Sequence, residues 1–181
     1  MALFEGYFIS AGLATSLKPA DMWFGQTFTP QLKHSIEYVN LSLKRYLNPG
    51  NLVVKICSVD VNSNPIITTV LTSATFITTS ISTSSYESVA ITFNAPILLS
   101  VGKMYALVWN LPYSDINNYL KCERTGNTDS YIRGQRYYSD DNGTTWYPSA
   151  LSDFLFEEYG TLNTKSKLPD LPGLPTLQSN T

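Results

Sequence analysis

The residues able to do chemistry in this chain are few, and their spacing limits what they can do. Two pairs of neighbouring carboxylates, Asp140 with Asp141 and Glu157 with Glu158, could in principle supply a general acid and a general base. Neighbours on a strand point to opposite faces, so neither pair converges on one substrate; solvated turn or edge charges are expected. A single histidine, His34, and the lack of a Gly-x-Ser-x-Gly turn or a Gly-rich phosphate loop leave nucleophilic and nucleotide chemistry without support. No catalytic residue and no cofactor is assigned. Cys57 and Cys122 are the only cysteines, and without a second histidine or a Cys-x-x-Cys pair they read as buried free thiols. Asp60-x-Asn62-x-Asn64 starts like a calcium loop, but Pro65 stands where such loops need Gly and Leu71 where they need a bidentate Glu. A turn is the expectation, with calcium held by loop oxygens the open alternative.

The chemistry that remains is contact chemistry. Sugar rings stack on exposed aromatic faces while carboxylates and amides grip hydroxyls. Trp109, Tyr113, Tyr137 and Tyr138 are candidates for such contacts, as are Trp146 and Tyr147, with Asp140 and Asn142 close in sequence. The alternative is that these aromatics fill a core or a subunit interface.

These groups need strands to hold them. In IEYVNLSLKRY, Val39, Leu41 and Leu43 fall on one face. Leu52, Val54 and Ile56 do so in the next run, followed by Val89, Ile91 and Phe93. Tyr105, Leu107 and Trp109 line another face, then Phe154 and Phe156. Period-two alternation of this kind marks half-buried antiparallel strands. Turn chemistry separates the runs at Asn48-Pro49-Gly50, Asn62-Ser63-Asn64-Pro65, Asn94-Ala95-Pro96 and Asp141-Asn142-Gly143. The hydroxyl-rich segment Thr68 to Ser85 suits an exposed edge or outer sheet. With no long helical pattern, the expectation is an all-β, antiparallel β-sandwich of the jelly-roll kind.

Composition agrees. Of 181 residues, 43% are hydrophobic, enough for a sizeable core, but only 14% are charged, where about 25% is usual. The net charge is -2 and no Lys/Arg-dense run occurs, so a nucleic-acid footprint is absent. No stretch approaches the length of a membrane span. The first residues, MALFEGYFISAGLATSLKP, contain Glu5 and lack a basic lead, so no secretory signal is expected.

Three segments follow: 1–22 as an N-terminal attachment segment, 23–160 as the sandwich, and 161–181 as an extended arm. In the last, Leu168, Leu171, Leu174 and Leu177 recur at every third residue, as do Pro169, Pro172 and Pro175. A polyproline II helix has three residues per turn, so the leucines would form one stripe. That stripe suits an arm laid into grooves on a neighbouring subunit; a disordered tail is the alternative.

Two resemblances follow from these residues. Ser139-x-Asp141-x-Gly143-x-Thr145-Trp146 resembles the Asp-box, a hairpin signature of sialidases and other propellers. Sialidases need several boxes and an arginine cluster, whereas this chain has one box and four arginines, Arg45, Arg124, Arg133 and Arg136. The hairpin therefore reads as structural. Residues 23–160 resemble a jelly-roll module that recurs in phage and archaeal-virus structural proteins and in prokaryotic surface proteins. The carrying residues run from Gln26-Thr27-Phe28-Thr29-Pro30 through Phe93, Pro96, Leu99, Gly102 and Tyr105 to Asp153-Phe154-x-Phe156-x-x-Tyr159-Gly160. The resemblance implies display, adhesion or host attachment rather than a reaction. The expectation is a virion protein on the outer particle surface, a capsid decoration, turret or fibre subunit. It would form homo-oligomers and meet other virion proteins. The alternative is a carbohydrate-binding module at a cell surface or outside the cell.

Overall fold

A computed structural model describes residues 1–7, 12–126, 131–149 and 151–163. The leucine- and proline-striped residues from Leu168 to Leu177 lie outside that range. The described chain is all-β, with two antiparallel sheets and one short 3-10 turn at Thr78–Ser80.

The strands are β1 (Ala2–Tyr7), β2 (Leu13–Leu17), β3 (Trp23–Phe28), β4 (His34–Tyr46), β5 (Asn51–Val59) and β6 (Pro65–Ile77). They continue with β7 (Glu87–Leu99), β8 (Tyr105–Asn110), β9 (Tyr119–Arg124), β10 (Arg136–Ser139), β11 (Tyr147–Ser149) and β12 (Phe156–Leu162). The first sheet runs β1-β12-β4, with β7 on the far side of β4; the second runs β11-β10-β3-β8-β5-β6. Strand β4 has 13 residues, about 40 Å, enough for two partners along one edge. Residues 34–41 pair with β12 and residues 43–46 with β9, which carries β2 beyond it. Residues 1–22, expected as an attachment segment, thus contribute two strands to the first sheet.

The alternation read in the sequence becomes the inter-sheet core. Val39, Leu41 and Leu43 face Leu52, Val54, Ile56, Leu107 and Trp109 across the two layers. Strands β3 and β8 are more buried than alternation suggested, since every residue in both is buried. Their second face lies under a smaller cluster. Trp23, Cys57, Ala106, Val108 and Tyr137 pack with Trp146 on the outside of the second sheet, against Val59 and Ile67. As expected for its hydroxyl-rich stretch, β6 is an edge strand, and residues 68–71 in it are exposed.

The turns obey the expected backbone rules. Gly50 takes φ +77° in the β4–β5 turn, and Gly143 takes φ +79° in the 139–146 hairpin. Ala2 sits opposite Gly160, and Leu162 opposite His34 at the start of β4. The chain therefore enters and leaves the sandwich at the same end.

Candidate functional site

The 139–146 hairpin is built from its own hydrogen bonds. Asp141 Oδ1 accepts from the backbone N–H of Thr144 at 3.1 Å and of Thr145 at 2.8 Å, and from the Ser139 hydroxyl at 2.8 Å. These donors, the Thr145 backbone N–H foremost, hold the Asp141 carboxyl down at about 2. Asn142 adopts φ +58°, where Asn is tolerated. Its Oδ1 accepts from Trp23 Nε1 at 3.1 Å, and Trp146 closes onto Gly25, Val108 and Tyr137. Ser139, Asp141 and Asn142 are thus spent on the turn or on latching it to the sheet, while Trp146 Nε1 is buried without a hydrogen-bond partner among the described residues.

The candidate aromatics separate accordingly. Trp109 is 0% exposed in the inter-sheet core, where its Nε1 donates to Cys122 Sγ at 3.4 Å. Tyr137 and Trp146 belong to the outer cluster, so neither presents a ring face to solvent. Three remain outside: Tyr113 (77% exposed), Tyr138 (37%) and Tyr147 (42%). Tyr138 and Tyr147 are cross-strand partners on β10 and β11, their rings stacked at 5.1 Å and 27°. Tyr113 lies just beyond the C-terminal end of β8, against Gly50 just before β5. Asp140 and Asn142 are both exposed on the hairpin. The structure thus brings together Tyr138 and Tyr147, and leaves Tyr113 apart from them.

The other polar groups behave differently from a row of solvated edge charges. Glu157 does point outward, where Asn40 Nδ2 donates to it; Glu158 points inward, as strand parity requires. Inside, Glu158 meets His34, and Glu5 lies opposite Glu158 in the β1–β12 ladder. His34 Nδ1 donates to the Leu32 carbonyl at 2.7 Å, which leaves Nε2 facing the Glu158 carboxylate. Burial alone would lower the His34 pKa, but the Glu158 hydrogen bond and charge outweigh it, and the net shift is upward. Burial also pushes Glu158 up, further than His34 draws it down. Together these directions say that the pair holds a proton more tightly than either group in water. Glu5 Oε2 accepts from Tyr131 Oη at 3.0 Å and from Arg133 Nη2 at 2.7 Å. All three of Glu5, His34 and Glu158 are exposed by 2% or less, so no substrate atom reaches them in this conformation. The network ties β1, β4 and β12 to the segment leading into β10.

A second buried pair closes the other side of the core. Gln26 Nε2 donates to Asp153 Oδ1 at 2.9 Å, and Gln26 Oε1 accepts from Phe154 N at 3.0 Å. Asp60 Oδ1 accepts from the N–H groups of Asn62 and Asn64, both at 2.8 Å, so the calcium-like segment is a side-chain-stabilised turn. Among the described residues no group of three His, Cys, Asp or Glu side chains could hold a metal ion. Cys57 and Cys122 are free and buried.

Sequence reasoning did not pick out Arg124 and Arg136 as site residues. They line one cleft of about 260 Å³ with Thr15, Met22, Phe24 and Tyr138, at the edge where the two sheets part. They sit on strands of different sheets, so no local spacing pairs them. Compared with protein-family models and with curated proteins, the chain matches none. Among the described residues no helix is long and apolar enough to cross a membrane.

Proposed function

We propose that this chain is a non-enzymatic structural subunit of a virus particle, a capsid decoration, turret or fibre component that displays a jelly roll and assembles through its termini. The strand order supports the jelly-roll part. Take β1, β3, β4, β5, β6, β7, β8 and β12 as strands one to eight of the sandwich. One sheet then reads one-eight-three-six and the other two-seven-four-five, the order of two interlocked Greek keys. Strands β2, β9, β10 and β11 are additions to that frame.

The observation that carries the assembly reading is the pairing of Ala2 with Gly160 and of Leu162 with His34. Both chain ends leave from one end of the sandwich, so a terminal attachment there leaves the opposite loops, including that of Tyr113, directed outward. The Leu/Pro-periodic residues 168–177 supply an arm of the right chemistry to seat on an identical neighbour or another virion protein. The chemistry inside the sandwich points the same way, because its carboxylates and histidine are consumed in holding strands. Removing residues 164–181 tests the reading, since β12 ends before them. The shortened chain should fold, yet fail to join particles or oligomers.

A second reading, a carbohydrate-contact module, is favoured by the stacked and partly exposed Tyr138–Tyr147 pair. It is compatible with display on a virion and with host attachment. A glycan array comparing the native chain with Tyr147→Ala tests it; binding to no glycan removes it.

A further inference from the structure

Two cations, Arg124 and Arg136, share the cleft at the sheet edge, and neither forms an ion pair among the described residues. Arg136 and Tyr138 lie opposite Gln26 and Phe24 of β3, on the face that turns toward the other sheet. Arg124 reaches the same cleft from β9. Arg124 Nε donates to Thr15 Oγ1 and its Nη1 to the Thr125 carbonyl, both at 3.1 Å. Arg136 Nε is buried and donates to nothing. Its guanidinium carbon lies 5.4 Å from the centre of the Phe154 ring. The described residues form ion pairs at His34–Glu158 and Arg133–Glu5, and neither involves these two arginines. Burial lowers the pKa of Arg136 and the charge of Arg124 adds to that, and the nearby Asp153 and Tyr138 offset only part of it.

By itself this arrangement works against folding. Like charges repel more strongly away from bulk water, and a buried donor without an acceptor costs free energy. Leucine or methionine would fill the same space without either penalty. An oxyanion placed between the guanidinium groups would remove both, because planar guanidinium forks match carboxylate and sulfate oxygens. Beside that seat the Tyr138–Tyr147 stack offers an aromatic surface of ring size with hydroxyl groups at its rim, and Met22 and Phe24 supply apolar walls.

We propose that this cleft binds an acidic saccharide, with its carboxylate or sulfate between Arg124 and Arg136 and its ring against Tyr138 and Tyr147. The proposal rests on the carbohydrate-contact reading above and sharpens it to a charge class and a place.

Isothermal titration of the full chain tests it with four probes: a hyaluronan tetrasaccharide (carboxylated), a heparin-derived tetrasaccharide (sulfated), neutral cellotetraose and sodium sulfate. At least one acidic tetrasaccharide should bind saturably and more tightly than cellotetraose or free sulfate. Loss of a charge-assisted contact in Arg124→Gln or Arg136→Gln should weaken it about tenfold or more. Tyr147→Ala, at an exposed ring, should weaken it as well, which keeps the test decisive should an arginine variant fold poorly. The unfolding midpoint of Arg136→Gln should not fall, since a purely structural arginine would lower it. The proposal is overturned if neither acidic probe binds, if the variants bind as the native chain does, or if sulfate alone binds as tightly. Binding of cellotetraose without the acidic probes would remove this seat while leaving the carbohydrate-contact reading standing.

Discussion

Asn142 Oδ1 accepts a hydrogen bond from Trp23 Nε1 at 3.1 Å, and this contact latches the tip of the 139–146 hairpin to β3. The hairpin then serves as a lid for the outer face of the second sheet. Trp146 lies over Gly25, where a Cβ would already be crowded, and packs edge-on against Tyr137 at 6.4 Å. Without the lid, Ala106 and Val108 would face water on a sheet buried on its other side.

Trp146→Ala should therefore cost stability before it costs any contact with a ligand. Truncating a large buried aromatic typically removes about 3 kcal/mol or more. Urea unfolding followed by far-UV circular dichroism would measure it. Native stability combined with lost glycan binding would instead make Trp146 a contact residue.

The two thiols should be inert in the folded chain. Burial pushes Cys57 to about 11 and Cys122 to about 12, so thiolate is scarce at neutral pH. Labelling with Ellman's reagent should be negligible in buffer and reach both thiols in denaturant. Rapid labelling of either one in buffer would contradict the burial seen here.

The His34–Glu158 pair should give stability a pH dependence of defined sign. Both folded-state pKa values are raised, so the folded chain binds protons more tightly than the unfolded one. That stabilisation is complete below the unfolded values, and its His34 part is lost as pH climbs above about 6.5. The urea midpoint should fall between pH 6 and pH 8, and the fall should shrink in His34→Gln. His34→Ala, which strands a buried carboxylate, should cost about 3–5 kcal/mol. A midpoint that rises across that interval in the native chain would contradict this.

Gly160 should not tolerate a side chain. A Cβ there would run into the backbone carbonyl of Ser35, next to the register shift between Tyr159 and Gly160. Gly160→Ala should force β12 away from β4 and lower the thermal midpoint, with the proton pair beside it disturbed. An unchanged midpoint would mean that this backbone approach is looser than described.

Much of the frame was legible because alternation and turn residues are local signals. Val39, Leu41 and Leu43, or Asp141 with Gly143, carry their meaning within a few residues. β3 was less legible, because WFGQTF is buried on both faces and shows no alternation. Glu158 read as a solvated charge from residue type, although the parity of Phe154, Phe156 and Glu158 already placed it inward. β1 and β2 escaped because their short, partly apolar runs gain strand character only beside β12 and β9. The Arg124–Arg136 cleft and the Glu5–Arg133 contact join distant strands, and no sequence spacing encodes either. Of the aromatic candidates, exposure left only Tyr113, Tyr138 and Tyr147, a distinction that residue type alone does not make.

Assembly through the chain ends is tested most directly by the mass of the purified full chain against a chain ending at Asn163, measured by light scattering at matched concentrations. The full chain should form a multi-copy species and the shortened one a folded monomer. A full chain that stays monomeric, or a shortened one that assembles equally well, would contradict the account.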